Sequence, residues 1–286
     1  MGDLVTQLEK LQLDVNGFSF SALAAGPPDG PLVLLLHGWP QFADSWAPIA
    51  AELASDGYRA VAVDQRGYSS GARPEAISSY AIDELSRDVL GFADALGRPR
   101  FHLVAHDWGA IVGWFVAANH GDRLASFASF ATPHPRALWD ARVNDPDQQK
   151  RTAYVDVFRA PGFIAEKALM GNGAAALRAV YEGKVPPEQV DENVRRLKEP
   201  GALTASLNWY RAVDFDRHLG PVAVPTFYGW GSNDRALGES AARATAGYVT
   251  GPYHFEIFSG VSHWVFDEVP RESAAMLREH LGAHAL

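Results

Sequence analysis

One carboxylate stands where it could act as a nucleophile. Asp107 ends the apolar run 101–107 and precedes the apolar run 109–120, and its near neighbours Ala105 and Gly109 are small. Small flanking residues permit a tight turn from a strand into a helix, and such a turn exposes its central side chain. The positive end of the helix would favour the ionised carboxylate. The pattern predicts a reactive carboxylate, although an aspartate that only caps the helix has the same local pattern.

Two later residues could complete a proton relay with this carboxylate. Asp234 comes just after the apolar run 224–230, and His263 follows the run 253–260. Either residue alone would often be only a turn residue, but both stand at strand ends that match the position of Asp107. The chain order of nucleophile, acid and histidine is that of catalytic residues in α/β hydrolases. We therefore expect His263 to be a base that Asp234 orients.

A carboxylate at this turn predicts different chemistry from a serine. Serine attacks an acyl carbon, whereas a carboxylate displaces a leaving group from an sp³ carbon and forms an alkyl ester. Water activated by neutral His263 would then attack the carbonyl of that ester. The backbone N–H groups of Trp39 and Trp108 could hold the developing oxyanion. The leaving group could be a halide or an epoxide oxygen.

The segment HGWP at 37–40 is expected to face the carboxylate. Gly38 allows a close approach of the backbone, and Pro40 restricts the exit of the chain. Aromatic residues in this region could simply be core, but beside a nucleophile they would form an apolar pocket wall that favours a neutral substrate. The residues expected to line this pocket are His37, Trp39, Trp108, Phe158 and Trp264.

These groups need a scaffold in which strand ends meet. Asn16 and Gly17 separate two strand-like segments, a strong signal for a β-hairpin. Beyond them, apolar runs typical of strands buried on both faces alternate with helical segments. The predicted strands are 31–38, 58–64, 101–107, 124–132, 224–230 and 253–260, and the predicted helices are 43–57, 79–97, 109–120, about 238–246 and from about 270. This alternation predicts an α/β fold with a mostly parallel sheet flanked by helices.

The alternation stops near Pro133. The next part of the chain is richer in charge, contains no clear strand, and has helical patches around 152–158, 164–181, 188–198 and 202–213. We interpret residues 134–220 as an inserted helical lid, or cap domain, on a core domain formed by 1–133 and 221–286. The active site is expected between the two, at the C-terminal ends of the strands, where open α/β sheets place their ligands.

Composition limits the partners. The 286 residues are 47% hydrophobic, enough for one large core with a lid, and the net charge of -9 disfavours nucleic acid and anionic membranes. The absence of cysteine excludes disulfides and thiolate sites, and it fits a cytoplasmic location. Residues 1–10 lack a signal-peptide core, and no run is long enough to span a bilayer. The histidines lack paired metal-ligand spacing. We expect no metal, no cofactor, and a monomer or homodimer.

Four motifs carry a resemblance to a known family. HGWP at 37–40, DQRGYSSGARP at 64–74, HDWG at 106–109 and SHW at 262–264 resemble segments of the epoxide hydrolases of the α/β-hydrolase superfamily. The resemblance extends from about residue 9 to the C-terminus. It implies an α/β-hydrolase fold with a helical cap, and hydrolysis of small apolar epoxides to vicinal diols through an ester on Asp107.

The resemblance also assigns two tyrosines. AYVDVF at 153–158 and LNWYR at 207–211 resemble the two lid segments that each contribute a tyrosine in that family. By this resemblance, Tyr154 and Tyr210 hydrogen-bond the oxirane oxygen and supply a proton as the ring opens. The physical need is clear, because an alkoxide is a poor leaving group unless it is protonated or strongly hydrogen-bonded.

Three other functions fit part of the pattern. The HDWG motif is shared with haloalkane dehalogenases, in which Trp39 and Trp108 could donate indole N–H groups to a departing halide. The tyrosine pair argues against that reading, because a halide needs no proton, and release of halide instead of diol would reveal it. An esterase would need a serine at position 107. A ligand-binding protein without catalysis would be expected to lack one of the reacting groups.

Overall fold

The computed structural model describes residues 8–215 and 217–286. The predictions made for residues 1–7, which include most of the N-terminal decapeptide and the start of the core, lie outside the described residues. So does position 216 of the predicted lid. Within the described ranges, no helix is both long and apolar enough to cross a membrane.

A single eight-stranded sheet organises the chain. In spatial order the strands run β1-β2-β4-β3-β5-β6-β7-β8. The pairs formed by β1 with β2 and by β2 with β4 are antiparallel, and the remaining pairs are parallel. The strands are β1 (Glu9–Val15), β2 (Phe18–Ala25), β3 (Leu32–Leu36), β4 (Arg59–Val63), β5 (Phe101–His106), β6 (Leu124–Phe130), β7 (Thr226–Gly231) and β8 (Tyr253–Phe258). The predicted mostly parallel sheet is confirmed.

Local sequence explains the strands well. Asn16 and Gly17 both have positive φ, as a two-residue hairpin turn requires, and they join β1 to β2 as predicted. Every residue of β3 to β7 is buried, which matches their continuous apolar sequences. Along β3, Leu34 and Leu36 belong to one hydrophobic cluster and Val33 and Leu35 to another. The two clusters lie on opposite faces because side chains alternate along a strand.

Helices cover both faces of the sheet and fill the segment between β6 and β7. They are α1 (Ala47–Ser55), α2 (Ile82–Ala95), α3 (Asp107–Asn119), α4 (Pro135–Asn144), α5 (Pro146–Arg151), α6 (Tyr154–Arg159), α7 (Ile164–Ala179), α8 (Pro187–Leu197), α9 (Ala202–Ala212), α10 (Glu239–Ala244), α11 (Val265–Glu268) and α12 (Pro270–Ala283). Short 3₁₀ turns occur at Ala43–Trp46, Ile77–Tyr80, Gly121–Arg123 and Thr245–Tyr248. Residues 171–174 interrupt α7 with non-helical backbone angles.

The helices α4 to α9, here called the helical insertion (residues 135–212), pack over the carboxyl ends of the strands. Sequence analysis anticipated α6 to α9 but not α4 and α5, because both begin at a proline and carry little helical periodicity. Two hydrogen bonds tie the insertion to the rest of the chain. Tyr181 Oη donates to the carbonyl of Pro40 at 2.9 Å, and Trp209 Nε1 donates to the carbonyl of Arg66 at 2.8 Å.

The order of the strands creates a crevice. The chain passes from β3 to β4 on one side and then crosses back to β5 on the other side of β3. Open α/β sheets bind ligands at the carboxyl ends of strands where the order reverses in this way. The loop after β3 carries Trp39 and the turn after β5 carries Asp107, so these residues face each other across the reversal point.

Candidate active site

Asp107 stands on a strained turn. It is the first residue of α3 and directly follows β5, with a left-handed φ of 49° that non-glycine residues rarely adopt. Two glycines make room for this turn. A Cβ atom at Gly38 would lie 2.3 Å from the Cβ of Asp107, and one at Gly109 would lie 2.5 Å from the carbonyl oxygen of Leu36. Both positions therefore exclude any larger residue without rearrangement.

The carboxylate of Asp107 is held by backbone donors. The N–H of Trp39 donates to Oδ1 at 2.7 Å, and the N–H of Trp108 also interacts with the carboxylate. Burial alone would raise the pKa of Asp107, but hydrogen bonding to His263 and the charge of that ring outweigh it, so the pKa lies below the ordinary 3.8. The side chain is therefore ionised at neutral pH, as a nucleophile must be.

His263 lies between two carboxylates. Its Nδ1 is 2.8 Å from Oδ2 of Asp234, and its Nε2 is 3.5 Å from Oδ2 of Asp107. Asp234 is buried, and its Oδ1 accepts hydrogen bonds from the N–H groups of Ala236 and Leu237 at 2.7 and 2.9 Å. Burial lowers the pKa of His263, but the negative charges of Asp234 and Asp107 overcome this effect and raise it well above 6.5.

Two further histidines support the site without touching its cavity. His106 Nε2 donates to the carbonyl of His263 at 3.0 Å, and burial lowers the pKa of His106 to about 4, so its ring is neutral. His37, which was predicted to line the pocket, is buried and is not part of the cavity wall beside Asp107. Its ring packs against Tyr68, with centroids 4.4 Å apart, and its Nε2 accepts from the N–H of Gln65 at 3.2 Å. His37 therefore fixes the loop that carries Trp39.

A cavity of about 220 Å³ lies above the carboxylate, between the sheet and the helical insertion. Three of the aromatic residues predicted for the pocket, Trp39, Phe158 and Trp264, form part of its wall together with Asp107 and His263. We call it the outer chamber. The rings of Trp39 and Phe158 are in contact, with centroids 4.9 Å apart. The wall is thus mostly aromatic around the reacting groups.

A second cavity of about 40 Å³, here called the inner chamber, lies on the other side of Asp107. Asp107, Tyr154 and Tyr210 line both chambers and therefore mark their junction. Trp108 lines the inner chamber and not the outer one. The centroid of its ring is 4.7 Å from that of Tyr210.

The two tyrosines approach Asp107 from separate helices. Tyr154 begins α6 and Tyr210 lies in α9, and their ring centroids are 6.2 Å apart. Tyr210 is buried, whereas Tyr154 is 36% exposed. Removal from bulk water, together with the charge of Asp107, raises the pKa of both phenols above 10. Both phenols therefore carry their protons at neutral pH.

Sequence reasoning missed three charged residues at the mouth of the outer chamber. Arg151, Glu182 and Arg235 line both this chamber and an adjoining polar pocket that is open to solvent. Arg235 pairs with Glu182 at 2.9 Å, and its side chain is 79% exposed. The sequence offers a weak indication only for Arg235, which is adjacent to Asp234. Arg151 and Glu182 lie on the helical insertion, and only the fold brings them to this site.

Comparisons with known proteins agree with this geometry. The family model described as the alpha/beta hydrolase fold matches residues 31–270. Epoxide hydrolase A of Mycobacterium tuberculosis is 34% identical over 94% of this chain and 96% of its own length. Epoxide hydrolase 3 of Xenopus tropicalis is 31% identical over 95% of this chain and 77% of its own length.

Solved structures give the same result. Epoxide hydrolase A from Mycobacterium thermoresistibile superposes with a TM-score of 0.86 at 28% identity, covering 98% of this chain and all of that one (100%). An epoxide hydrolase mutant from Bacillus megaterium, complexed with its product (R)-3-[1]naphthyloxy-propane-1,2-diol, superposes with a TM-score of 0.87 at 26% identity, covering 95% and 100% of the two chains.

The sheet, its strand-end residues and the family match define an α/β hydrolase. Within this class, the chain belongs to the epoxide hydrolase family. The family resemblance and the fold that the sequence predicted are both confirmed.

Proposed function

We propose that the protein hydrolyses small apolar epoxides to vicinal diols through a covalent ester on Asp107. The observation that carries this proposal is the junction of the two chambers, where Asp107, Tyr154 and Tyr210 face the same space. A nucleophile and two neutral proton donors on one cavity suit a substrate whose carbon is attacked while its oxygen must be protonated. The relatives named as epoxide hydrolases support the same activity.

In the first step, Oδ2 of Asp107 attacks one epoxide carbon. The C–O bond of the ring breaks as the new ester C–O bond forms, and the ring oxygen takes the electron pair. Tyr154 and Tyr210 hydrogen-bond that oxygen, and one of them supplies a proton to give the β-hydroxy ester. Because their pKa values lie above 10, both hydroxyl groups still carry their protons at neutral pH.

In the second step, water attacks the carbonyl carbon of the Asp107 ester. His263 takes a proton from this water through Nε2 while Asp234 holds Nδ1. The tetrahedral oxyanion forms at the position of Oδ1, where the N–H of Trp39 already donates at 2.7 Å. Collapse breaks the ester C–O bond, and the departing alkoxide takes the proton held by His263 to complete the diol. The new carboxyl group, which now contains one oxygen from water, loses its proton to become the carboxylate, and this proton restores the neutral tyrosine.

The charge on His263 is coupled to the state of Asp107. In the free enzyme, both carboxylates raise the pKa of His263, which favours the imidazolium. Ester formation removes the charge of Asp107, so the pKa of His263 falls and the neutral base becomes available for the second step. The first step therefore prepares the base that the next step needs.

The dehalogenase alternative is less compatible with the indole groups. Trp39 Nε1 donates to Oγ of Ser206 at 3.2 Å, and the ring of Trp108 packs edge-on against Tyr210, with centroids 4.7 Å apart. The indole N–H of Trp39 is therefore engaged within the protein instead of being free to bind a halide. In our proposal the helical insertion acts as a cap domain that supplies the tyrosines, and the remaining chain is the core domain.

Product analysis tests the proposed activity. The purified protein is incubated separately with 1,2-epoxyhexane and 1-bromohexane, and diol and bromide are quantified. We expect hexane-1,2-diol from the epoxide, no bromide above the buffer control, and no diol above that control with Asp107→Asn. Bromide release without diol would instead support a dehalogenase, and the absence of both products would refute the proposal.

A further inference from the structure

The unequal sizes of the two chambers have a consequence for substrate choice. Asp107, Tyr154 and Tyr210 line both chambers. In the proposed mechanism these three residues would hold the epoxide ring at the junction, with one ring carbon toward each chamber. The outer chamber has about 220 Å³, whereas the inner one has about 40 Å³. A single water-sized probe fills about 10–15 Å³, so the inner chamber holds only about three groups of that size, whereas the outer chamber holds a chain of several carbons.

The inner chamber is lined mainly by buried apolar side chains. Ile111, Leu138, Trp139 and Val155 line it, and each is at most 6% exposed. They come from three different helices, α3, α4 and α6, that pack in one hydrophobic cluster. Widening the chamber would require these helices to separate, which close-packed interiors resist.

The outer chamber, in contrast, opens toward solvent. It meets the solvent-exposed polar pocket at Arg151, Glu182 and Arg235, so a substituent placed there can extend toward water. Neither chamber wall requires the substituent to carry charge, because the exposed Arg235 is already paired with Glu182.

We infer that the protein selects terminal epoxides: the unsubstituted ring carbon occupies the inner chamber, and the single substituent extends through the outer chamber. This inference rests on the proposed function and specifies its substrate class. It assigns Leu138 and Ile111 as the residues that limit the size of the inner substituent. Neither touches the reacting bond, and both act through the space they fill.

Three epoxyhexanes that share one molecular formula and differ in the position of the ring test the inference. The 1,2-, 2,3- and 3,4-isomers would place hydrogen, methyl and ethyl in the inner chamber. An additional carbon in a tight apolar pocket changes kcat/KM by about tenfold or more. We expect kcat/KM to fall by about tenfold at each step of this series.

A variant with a larger inner chamber distinguishes the effect of chamber size from the intrinsic reactivity of each isomer. Leu138→Ala should raise kcat/KM for 3,4-epoxyhexane relative to 1,2-epoxyhexane by about tenfold. Leu203→Ala is the matched control, since Leu203 is equally buried (5% for both residues) but lies outside both chamber walls. This control should leave the ratio unchanged. If Leu138→Ala does not fold, as judged by circular dichroism, Ile111→Val should change the ratio in the same direction by a smaller factor.

The outcomes separate the two proposals. Equal kcat/KM values for the three isomers in the wild-type protein, or a ratio that neither Leu138→Ala nor Ile111→Val alters, would overturn the selection of terminal epoxides and leave the hydrolase activity standing. If the wild-type protein converts none of the isomers to a diol, the proposed function itself is wrong.

Discussion

Nε2 of His263 lies 3.5 Å from Oδ2 of Asp107, at the distance of an ion pair and slightly beyond that of a strong hydrogen bond. The opposite side of the ring is fixed more tightly, at 2.8 Å from Asp234. A histidine held in this way keeps its orientation when the Asp107 carboxylate becomes an ester. It can then direct Nε2 toward a water molecule beside the ester carbonyl. Four predictions concern this arrangement and the groups around it.

Replacing the base should trap the ester. In His263→Gln the first step remains possible, while the second loses general base catalysis, a contribution of about 10²–10⁴-fold. Intact-protein mass spectrometry after addition of 1,2-epoxyhexane should show an increase equal to the mass of one epoxide. The double variant His263→Gln with Asp107→Asn serves as the control and should show none. If no adduct accumulates in the single variant, the role of His263 as the base of the second step is contradicted.

The two steps should respond differently to acid. The pKa of Asp107 lies below 3.8, and those of Tyr154 and Tyr210 lie above 10, so all three keep their reactive forms as the pH falls from neutrality. In the ester, His263 loses the support of the Asp107 charge but keeps that of Asp234, and it is protonated progressively as the pH falls. Rapid-quench mass spectrometry should therefore show more ester and a lower kcat at acidic pH, with little change in the rate of ester formation. If the rate of ester formation falls in parallel with kcat, the prediction that acid slows only the second step is contradicted.

Removing both phenols should abolish ring opening. Tyr154→Phe with Tyr210→Phe leaves the epoxide oxygen without its proton donors, and the rate of ester formation should fall by about 10²-fold or more. Each single variant should lose less, because the other tyrosine still contacts the oxygen. Single-turnover kinetics measures this rate directly. Retention of wild-type rates in the double variant would show that the tyrosines are structural.

A methyl group at Gly38 should disable the site. The added Cβ would meet Asp107 at 2.3 Å, so either the nucleophile or the Trp39 loop must shift. A displacement of about 1 Å can reduce activity by about 10²-fold. Gly247→Ala is a suitable control, because a Cβ there meets nothing within 4 Å and its φ is not positive. We expect kcat/KM to collapse only in Gly38→Ala, and normal activity there would contradict the close approach of the two segments.

The strands were predictable because their signal is local. Continuous apolar runs in β3 to β7 and the Asn16-Gly17 turn each specify their own conformation, and the structure follows them closely. The helices α4 and α5 were not predicted. Their residues face partly toward solvent and partly toward neighbouring helices, so tertiary packing and not periodicity determines them.

The proximity of the three predicted catalytic residues was predictable for a different reason. Asp107, Asp234 and His263 all follow strands, and the parallel sheet necessarily brings those strand ends together. The placement of His37 was not predictable from its position beside Trp39, because ring orientation depends on contacts with Tyr68 and Gln65, which come from the next strand's loop. The position of Glu182 at the mouth of the outer chamber depends on how the helical insertion packs. That packing leaves no repeating pattern in the sequence.

A single turnover in ¹⁸O-labelled water tests the central claim that Asp107 is the nucleophile. Enzyme is kept in excess over 1,2-epoxyhexane, and both the diol and the peptide containing Asp107 are analysed by mass spectrometry. Our account predicts an unlabelled first diol, because its new oxygen comes from the carboxylate, and one ¹⁸O atom in the side chain of Asp107. Solvent label in the first diol with an unlabelled Asp107 would mean that water attacks the epoxide directly, and the covalent mechanism would be wrong.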